Sequence, residues 1–395
     1  MQTLSPASAQ KAAQALRAAA EAGEGIEIRG GGTKRGWGCA TAKAERELFS
    51  ERLGGVAEHN AGDLTAVVGA GQSLAGAQEV FGQAGQMLAL DPPDPGDCRG
   101  LLRLRRRWAV APPLRGASRP PAPPGPFNWN VGGQNPALGV QRALPDGSVA
   151  RAGGRVIKNV AGYDLAKLSV GALGTLGVIV ELVVRLHPRA KQTVTAIGIA
   201  DDPGVLAAAR DAVARAPLEL ESFDLTWAHG QGALLARAGG PASEPQARRV
   251  HELMSFAGLD VRLEDDDEEQ WEAQRASQRS VEGVVVKVSA LPADLARVVA
   301  GAESLSARVV GRAGRGIYWI GLPAGADADL VATVGELRTR LAPSPCVVQD
   351  APVGVRSGVD PWGVPEGPEL ALMRRVKQRF DPRSTCSPGR YVGGI

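Results

Sequence analysis

The stretch Gly171-Ala-Leu-Gly-Thr-Leu-Gly-Val-Ile179 leads from a short predicted helix into an apolar, β-branched run typical of a buried strand. Gly174 and Gly177 remove side chains from the turn that enters this strand. A flat ligand surface could therefore lie against the backbone of Val178 and Ile179. A tight helix-to-strand connection would also require small residues here. This stretch alone leaves both interpretations open.

A second glycine-rich stretch, Arg29-Gly-Gly-Gly-Thr-Lys34, follows a short predicted strand at 26–29. Three successive glycines allow backbone N–H groups to converge on an anion, and the next two residues add a hydroxyl donor and a positive charge. The pattern is not a P-loop, because GxxxxGK[ST] is absent. It indicates a diphosphate-binding turn, although a triple glycine also arises by chance among 51 glycines in 395 residues. The residues of this predicted site are Gly30, Gly31, Gly32, Thr33 and Lys34.

The composition, with 44% hydrophobic and 22% charged residues, describes a soluble globular chain long enough for two domains. The four cysteines lie far apart without a CxxC pair, so neither a zinc site nor an iron-sulfur binding run is expected, and no metal site is predicted. This cysteine usage favours a reduced, cytoplasmic compartment. No secretory signal pattern or long apolar window occurs, so no membrane span is expected.

The positive charge of the chain is local. The net charge is +3, but residues 97–127 alone contain seven Arg against one Asp. A nucleic-acid-binding surface usually spreads Lys and Arg along a face with aromatic residues between them, whereas here Arg is mixed with seven Pro and only Trp108 and Phe127. Nucleic-acid binding is therefore not expected.

The order of predicted elements indicates an α+β fold. Ser5 before Pro6 predicts the start of a helix that continues to about residue 22, and Ser73 can cap a second helix. Pro145-Asp-Gly147 between two apolar runs predicts a β-hairpin. His187-Pro188 closes the first half, so a domain boundary is predicted near residue 190. Beyond it, strands, hairpins and helices indicate an antiparallel sheet with helices on one side.

Together, the two glycine-rich stretches resemble the FAD-binding domain of the vanillyl-alcohol oxidase and p-cresol methylhydroxylase type. Within this group the chain looks most like the FAD-binding subunits of bacterial glycolate oxidases, and the resemblance covers nearly its whole length. The other stretches that carry the resemblance are Gln86–Pro93, Lys158–Leu168, Asp360–Gly363, Leu372–Pro382 and Ser387–Arg390.

The resemblance implies a two-subdomain FAD-binding domain at residues 1–189 and a smaller antiparallel cap domain with helices at 190–395, whose C-terminal tail packs back on the first domain. The Arg29–Lys34 turn would hold the FAD diphosphate. The later turn, through Gly174, Gly177, Val178 and Ile179, would line the adenosine part. Covalent flavin attachment usually needs a His or Cys near the diphosphate turn, and only Cys39 is close, so noncovalent FAD is expected.

The resemblance also implies a role in a complex that oxidises glycolate or a related 2-hydroxy acid, with electrons leaving through an iron-sulfur subunit. No carboxylate-binding cation and base can be picked out of the sequence, so catalytic residues stay unassigned and the chemistry is expected mainly in a larger partner flavin subunit. Such a complex would be cytoplasmic, with any membrane association made through its partners. Two alternatives remain: a stand-alone FAD-dependent oxidoreductase acting on another alcohol or D-lactate, and a flavin-free structural subunit.

The segment 97–137 departs from the family pattern. Related proteins have a second glycine-rich segment that passes close to the flavin, whereas this chain has an Arg-rich run followed by Pro-Pro pairs. Such a run cannot pair as a central strand or continue a helix. We therefore consider a shifted reading frame in a GC-rich gene, or else a diverged loop. Mass spectrometric detection of a peptide spanning Arg107 to Arg115 would exclude the frameshift and would put FAD affinity itself in question.

Overall fold

A computed structural model of the chain describes residues 2–32, 34–41, 44–90, 137–155, 165–280 and 282–395. The predicted site residue Thr33 lies outside the described residues. The predictions for the Arg/Pro-rich segment also fall outside them, except for Ala137, which begins a strand.

The first half contains short strands and three helices among the described residues. In chain order these elements are β1 (Gln2–Leu4), α1 (Ala9–Ala22), β2 (Ile26–Arg29), β3 (Arg46–Phe49), β4 (Val56–Asn60), β5 (Thr65–Gly69), α2 (Leu74–Gln83), β6 (Gln86–Met87), β7 (Ala137–Ala143), β8 (Val149–Gly153), α3 (Leu165–Ser169), β9 (Val178–Arg185) and β10 (His187–Pro188).

A five-stranded antiparallel sheet with the order β4-β5-β9-β7-β8 forms the centre of the first half. The hairpin between β7 and β8 confirms the turn predicted at Pro145-Asp-Gly147. Ser73 caps α2 as predicted, since its Oγ accepts a hydrogen bond from the Gly76 amide at 3.1 Å. The apolar face of α2 packs on this sheet, and the two together form one of the hydrophobic cores of this half.

A small parallel sheet with the order β1-β3-β2 carries the chain into the first glycine-rich stretch. The sequence prediction missed β3, and it placed the start of α1 too early. The N-cap is Ser8, whose Oγ accepts a hydrogen bond from the Lys11 amide at 3.2 Å, rather than Ser5. Residues 2–4 pair with β3, so the chain reaches its helical conformation only after this strand.

The second half is built on an eight-stranded antiparallel sheet, which confirms the predicted antiparallel character. Its strand order is β14-β11-β13-β12-β16-β17-β15-β18. The elements are β11 (Thr193–Ala200), α4 (Pro203–Arg215), β12 (Leu220–Ala228), β13 (Gln231–Gly239), α5 (Ser243–Phe256), β14 (Asp260–Glu264), α6 (Glu268–Ala276), β15 (Val285–Ser289), α7 (Leu295–Glu303), β16 (Arg308–Arg312), β17 (Ile317–Gly321), α8 (Asp327–Arg340), β18 (Cys346–Asp350), α9 (Val353–Gly358) and α10 (Pro368–Phe380).

Helices α4, α5, α7 and α8 supply apolar side chains to the core on one face of this sheet, together with Trp227 and Tyr318. Within the described ranges, no helix has the length and apolar character needed to cross a membrane. The same residues contain no group of His, Cys, Asp and Glu side chains suited to hold a metal ion.

The C-terminal segment, residues 381–395, returns to the first half after α10. The Ile26 amide donates to the Thr385 carbonyl at 2.7 Å, and the Ser387 amide donates to the Ile26 carbonyl at 2.8 Å. These bonds form a parallel bridge between β2 and Cys386. The last residues therefore extend the small parallel sheet beside the strand that enters the glycine-rich stretch.

Candidate functional site

The first glycine turn, residues 30–38, follows the end of β2. Gly32 has a φ of +77°, and a Cβ added there would meet no atom within 4 Å. The Arg35 amide closes the turn by donating to the Gly32 carbonyl at 3.1 Å. Within the described residues, the amides of Gly31 and Gly32 make no hydrogen bond. The turn therefore combines open space with main-chain donors that a ligand can use.

Arg390 of the C-terminal segment binds the carbonyl groups of this turn. Its side chain is buried, and Nη2 donates to the Lys34 carbonyl at 2.7 Å. Two longer bonds run from Nε to the Trp37 carbonyl at 3.4 Å and from Nη1 to the Ile28 carbonyl at 3.5 Å. One guanidinium thus contacts three carbonyls of the segment 28–37.

Ion pairs lie at the base of the first glycine turn. Arg29 pairs with Glu27, at 2.8 Å between Nη2 and Oε2, and with Glu47 of β3. Burial opposes ionisation of Glu27, but its hydrogen bond to Arg29 and the positive charges of Arg29, Arg390 and Arg35 outweigh burial and lower the pKa of Glu27. Glu27 is therefore a carboxylate at neutral pH, and it partly balances the cations around the turn.

Trp37 fixes the far end of the first glycine turn to the second half of the molecule. Its ring is buried, and Nε1 donates to Asp350 Oδ1 at 3.1 Å. The Arg279 guanidinium lies 4.8 Å from the ring centroid and pairs with the same carboxylate, at 2.6 Å between Nε and Oδ2. The Lys34 ammonium lies 5.1 Å from the same ring centroid. These contacts place cations from both halves beside the turn.

The second glycine turn, residues 171–177, precedes β9. Leu173, Gly174 and Gly177 all have positive φ, at 50°, 82° and 109°. A Cβ on Gly177 would lie only 2.6 Å from the Ala143 carbonyl oxygen of β7. Main-chain packing alone therefore requires glycine at position 177.

Val178 and Ile179 contribute their side chains to the protein interior. Val178 is buried in the cluster that α1 forms with β2 and β3. Ile179 is partly buried and packs against the cluster beneath α2. The backbone of these two residues as a lining for a ligand stays a prediction.

The second glycine turn lies against β2, close to the start of the first. A Cβ on Gly174 would lie 3.0 Å from the Ile28 Cβ and 3.2 Å from Ser387 Oγ. The structure therefore brings Gly174 next to β2, the strand that precedes Gly30, while the side chains of Ile28 and Ser387 occupy the space at this contact.

The residues of the first glycine turn fit a nucleotide diphosphate. The amides of Gly31 and Gly32 are available donors beside open space, and Lys34 adds a positive charge. Arg356 of α9 lies at the end of the turn, with Nη1 at 3.1 Å from the position of a Cβ on Gly36. Main-chain amides and neighbouring cations are the groups that bind phosphate oxygens in proteins.

A comparison with known protein families decides the cofactor. The family described as "FAD binding domain" matches residues 2–99, which include the first glycine turn. Residues 2–99 are therefore similar to an FAD-binding domain. FAD is its cofactor, and the match ends inside the Arg/Pro-rich segment.

Several curated proteins are similar to this chain. An uncharacterized FAD-linked oxidoreductase of Mycobacterium tuberculosis is 29% identical over 239 residues, which are 56% of this chain and 46% of that protein. The glycolate oxidase subunit GlcE of Escherichia coli is 32% identical over 143 residues, or 36% of this chain and 37% of GlcE. A D-2-hydroxyglutarate dehydrogenase of Xanthomonas citri is 25% identical over 434 residues, which cover 98% of this chain and 88% of that protein. The chain thus spans about half the length of the mycobacterial relative.

Among solved structures, p-cresol methylhydroxylase with bound substrate has a TM-score of 0.67 and 12% sequence identity, covering 98% of this chain and 88% of that one. This similarity confirms the predicted α+β fold class with its FAD-binding and antiparallel-sheet parts.

Sequence reasoning missed several titratable groups with shifted pKa values in the large sheet, among them Glu221 and Lys287. Glu221 is the extra residue of a β-bulge in β12, and its Oε2 is buried without a hydrogen-bond partner among the described residues. Burial raises the pKa of Glu221 to about 7, with Asp267 adding to the rise and Arg237 opposing it. Burial also lowers the pKa of Lys287 on β15 to about 8. No sequence spacing marks either residue.

Sequence reasoning also missed the roles of Arg390 and Lys377. Both lie in the C-terminal stretches that carry the family resemblance, and this resemblance is the sequence signal that could have indicated them. Their contacts with the glycine turns join residues hundreds of positions apart, and no local pattern predicts such contacts.

Proposed function

We propose that this chain is the FAD-binding subunit of a multi-subunit oxidoreductase that oxidises glycolate or a related 2-hydroxy acid. Electrons would pass to an iron-sulfur subunit, and a larger flavin subunit would complete the complex. The similarity to GlcE and to a D-2-hydroxyglutarate dehydrogenase supports this substrate class. Bound FAD supplies the two-electron chemistry of alcohol oxidation, and the protein supplies position and electrostatics.

The diphosphate site is proposed at Gly30, Gly31, Gly32, Thr33 and Lys34. The observation that carries this assignment is the pair of amides at Gly31 and Gly32, which make no hydrogen bond among the described residues, beside open space at the Gly32 Cα. The backbone of the second turn, at Gly174, Gly177, Val178 and Ile179, is proposed to line the adenosine part. Its contact with β2 supports a shared site, although packing accounts for Gly177 without a ligand.

Noncovalent attachment of FAD is part of the proposal. Cys39 is held near the first glycine turn by a 3.0 Å bond from its amide to the Arg390 carbonyl. Burial and the neighbouring Asp360 carboxylate raise the pKa of the Cys39 thiol, so little of the reactive thiolate forms at neutral pH. This environment disfavours a covalent bond to the flavin through Cys39.

We propose that residues 1–189 form the FAD-binding domain and that residues 190–395 form the cap domain. The Arg/Pro-rich segment 97–137 is an anomalous stretch within the FAD-binding domain. We place substrate chemistry mainly in the partner flavin subunit and the complex in the cytoplasm, with membrane contact through partner subunits.

Absorbance spectroscopy of the purified chain tests the proposal. We expect visible flavin bands, release of FAD on acid denaturation, and flavin reduction by glycolate only when the partner flavin subunit is added. Reduction of the isolated chain by glycolate or D-lactate would favour a stand-alone oxidoreductase. A colourless protein that takes up no added FAD but still binds its partners would favour a structural subunit and contradict the proposal.

A further inference from the structure

The C-terminal part of the chain contacts both glycine turns. Arg390 binds the Lys34 and Trp37 carbonyls within the first turn and the Ile28 carbonyl just before it. Lys377 of α10 donates to a carbonyl of the second turn. The Lys377 ammonium is buried and donates to the Thr175 carbonyl at 2.8 Å, to the Cys386 carbonyl at 2.9 Å and to Asp381 Oδ2 at 2.7 Å. A single short segment therefore connects elements that lie far apart in sequence.

Asp381 holds this segment in shape. It is fully buried, and its carboxylate accepts hydrogen bonds from the Thr385 amide at 3.0 Å and the Cys386 amide at 2.7 Å. Ser387 then continues beside β2, where its Oγ accepts a bond from the Ile28 amide at 3.1 Å. Arg390 is thus presented to the first glycine turn by a segment that is itself anchored at several points.

The guanidinium of Arg390 donates to main-chain carbonyls at the first glycine turn. All three of its acceptors are main-chain carbonyls of residues 28–37. A guanidinium presents its donors in a fixed planar fork, so it restricts the orientation of the peptide groups that it binds. A run of three glycines has the largest backbone entropy to lose when it becomes ordered. Prior ordering by a protein group reduces the entropy that a ligand must remove on binding.

We propose that Arg390 is a positioning residue that orders the first glycine turn for the FAD diphosphate, so that flavin affinity depends on the last residues of the chain. Arg390 binds the carbonyls and leaves the amides of Gly31 and Gly32 to the ligand. The proposal rests on the diphosphate site described under the proposed function.

The test compares Arg390→Met with Arg383→Met. Arg383 belongs to the same segment, but it is an exposed residue and its Nη1 donates to the Ala20 carbonyl at 2.7 Å, in the last turn of α1. FAD and ADP titrations of the full-length variants are followed by flavin fluorescence and calorimetry. We expect Arg390→Met to raise both dissociation constants about tenfold or more, since one hydrogen bond to a charged group corresponds to roughly that factor. Arg383→Met should retain wild-type affinity.

Hydrogen exchange without ligand provides a readout that is independent of activity. Arg390→Met should lose protection in peptides covering residues 28–37, while peptides from β12 and β13 keep theirs. Arg390→Lys preserves the charge and can reach only part of the carbonyl set, so it should give intermediate affinity and intermediate protection.

Three results would overturn the inference: wild-type FAD affinity in Arg390→Met, an equal loss in Arg383→Met, or loss of protection that extends through β12 and β13. Failure of the wild type to bind FAD or ADP would instead contradict the proposed function. In that case unchanged exchange at residues 28–37 in Arg390→Met would still overturn the ordering role, and selective loss there would support it.

Discussion

The two glycine turns differ in what surrounds their glycines. In the first turn, a Cβ on Gly32 would meet no atom within 4 Å. In the second turn, a Cβ on Gly177 would collide with the Ala143 carbonyl, and one on Gly174 would press against Ile28. Glycine at position 32 leaves space that the protein does not fill, whereas glycine at position 177 is required by the main chain packed against it. A glycine-rich pattern therefore indicates a ligand site only where the removed side chain would have pointed into open space.

The turns also differ in how the C-terminal part of the chain holds them. A guanidinium binds the first turn from the carbonyl side, and a buried ammonium with its own carboxylate partner binds the second. The variants below test whether the second turn chiefly maintains the fold and the first chiefly binds the ligand.

The largest effect is expected for Lys377→Met, which removes the ammonium held at the second turn. The change leaves the buried Asp381 carboxylate without its cation, and we expect a loss of about 3–5 kcal/mol in the free energy of unfolding. Denaturant unfolding measures it. The control is Arg374→Met, which breaks an exposed ion pair with Glu366 and should change stability little. Equal stability of the two variants would refute a structural role for Lys377.

Gly177→Ala should destabilise the protein by about 2–4 kcal/mol, because the added methyl group combines a main-chain collision with a positive φ. The matched control is Gly240→Ala, where φ is +82° but no atom lies within 4 Å of the added Cβ. Thermal unfolding without FAD should show a clearly larger loss for Gly177→Ala. If the two losses are the same, packing does not explain glycine at position 177.

Gly32→Ala should cost only about 1–2 kcal/mol of stability, because its φ is positive but its surroundings are open. Gly23→Ala is the control, with a φ of +70° and equally open surroundings at the end of α1. We expect similar unfolding midpoints for the two variants, while FAD titration shows weaker binding only for Gly32→Ala. Unchanged FAD affinity would argue against a ligand at the first turn.

The smallest expected effect is the pH dependence of the stability that Glu27 contributes at the base of the first turn. The pKa of Glu27 in the folded protein is lowered from the ordinary 4.5, so its stabilising contribution is present above that value and is lost as the pH falls below it. Glu27→Gln should therefore reduce the free energy of unfolding at neutral pH, and its difference from the wild type should shrink in acid. Denaturant unfolding over this range measures the difference, and a gap that widens in acid would contradict the assigned sign.

Local sequence signals predicted local structure well. Ser73 caps α2, Pro145-Asp-Gly147 forms its hairpin, and the apolar run after residue 177 is a strand, because neighbouring residues decide each of these features. The helix start at Ser5 was wrong because residues 2–4 are drawn into a parallel sheet with β3, a pairing that no local pattern specifies.

The site was predictable only in part for the same reason. The glycine pattern indicated the first turn, but the contact between Arg390 and the Lys34 carbonyl joins residues 356 positions apart. The shifted pKa of Glu221 depends on a bulge that places its carboxyl group beside Gly239, and only the packed sheet creates that environment.

A crystal structure of the protein with bound FAD tests the central claim most directly. The account predicts diphosphate oxygens about 3 Å from the amide nitrogens of Gly31 and Gly32, within ordinary hydrogen-bond distance. A diphosphate bound elsewhere, with these two amides facing solvent, would contradict it.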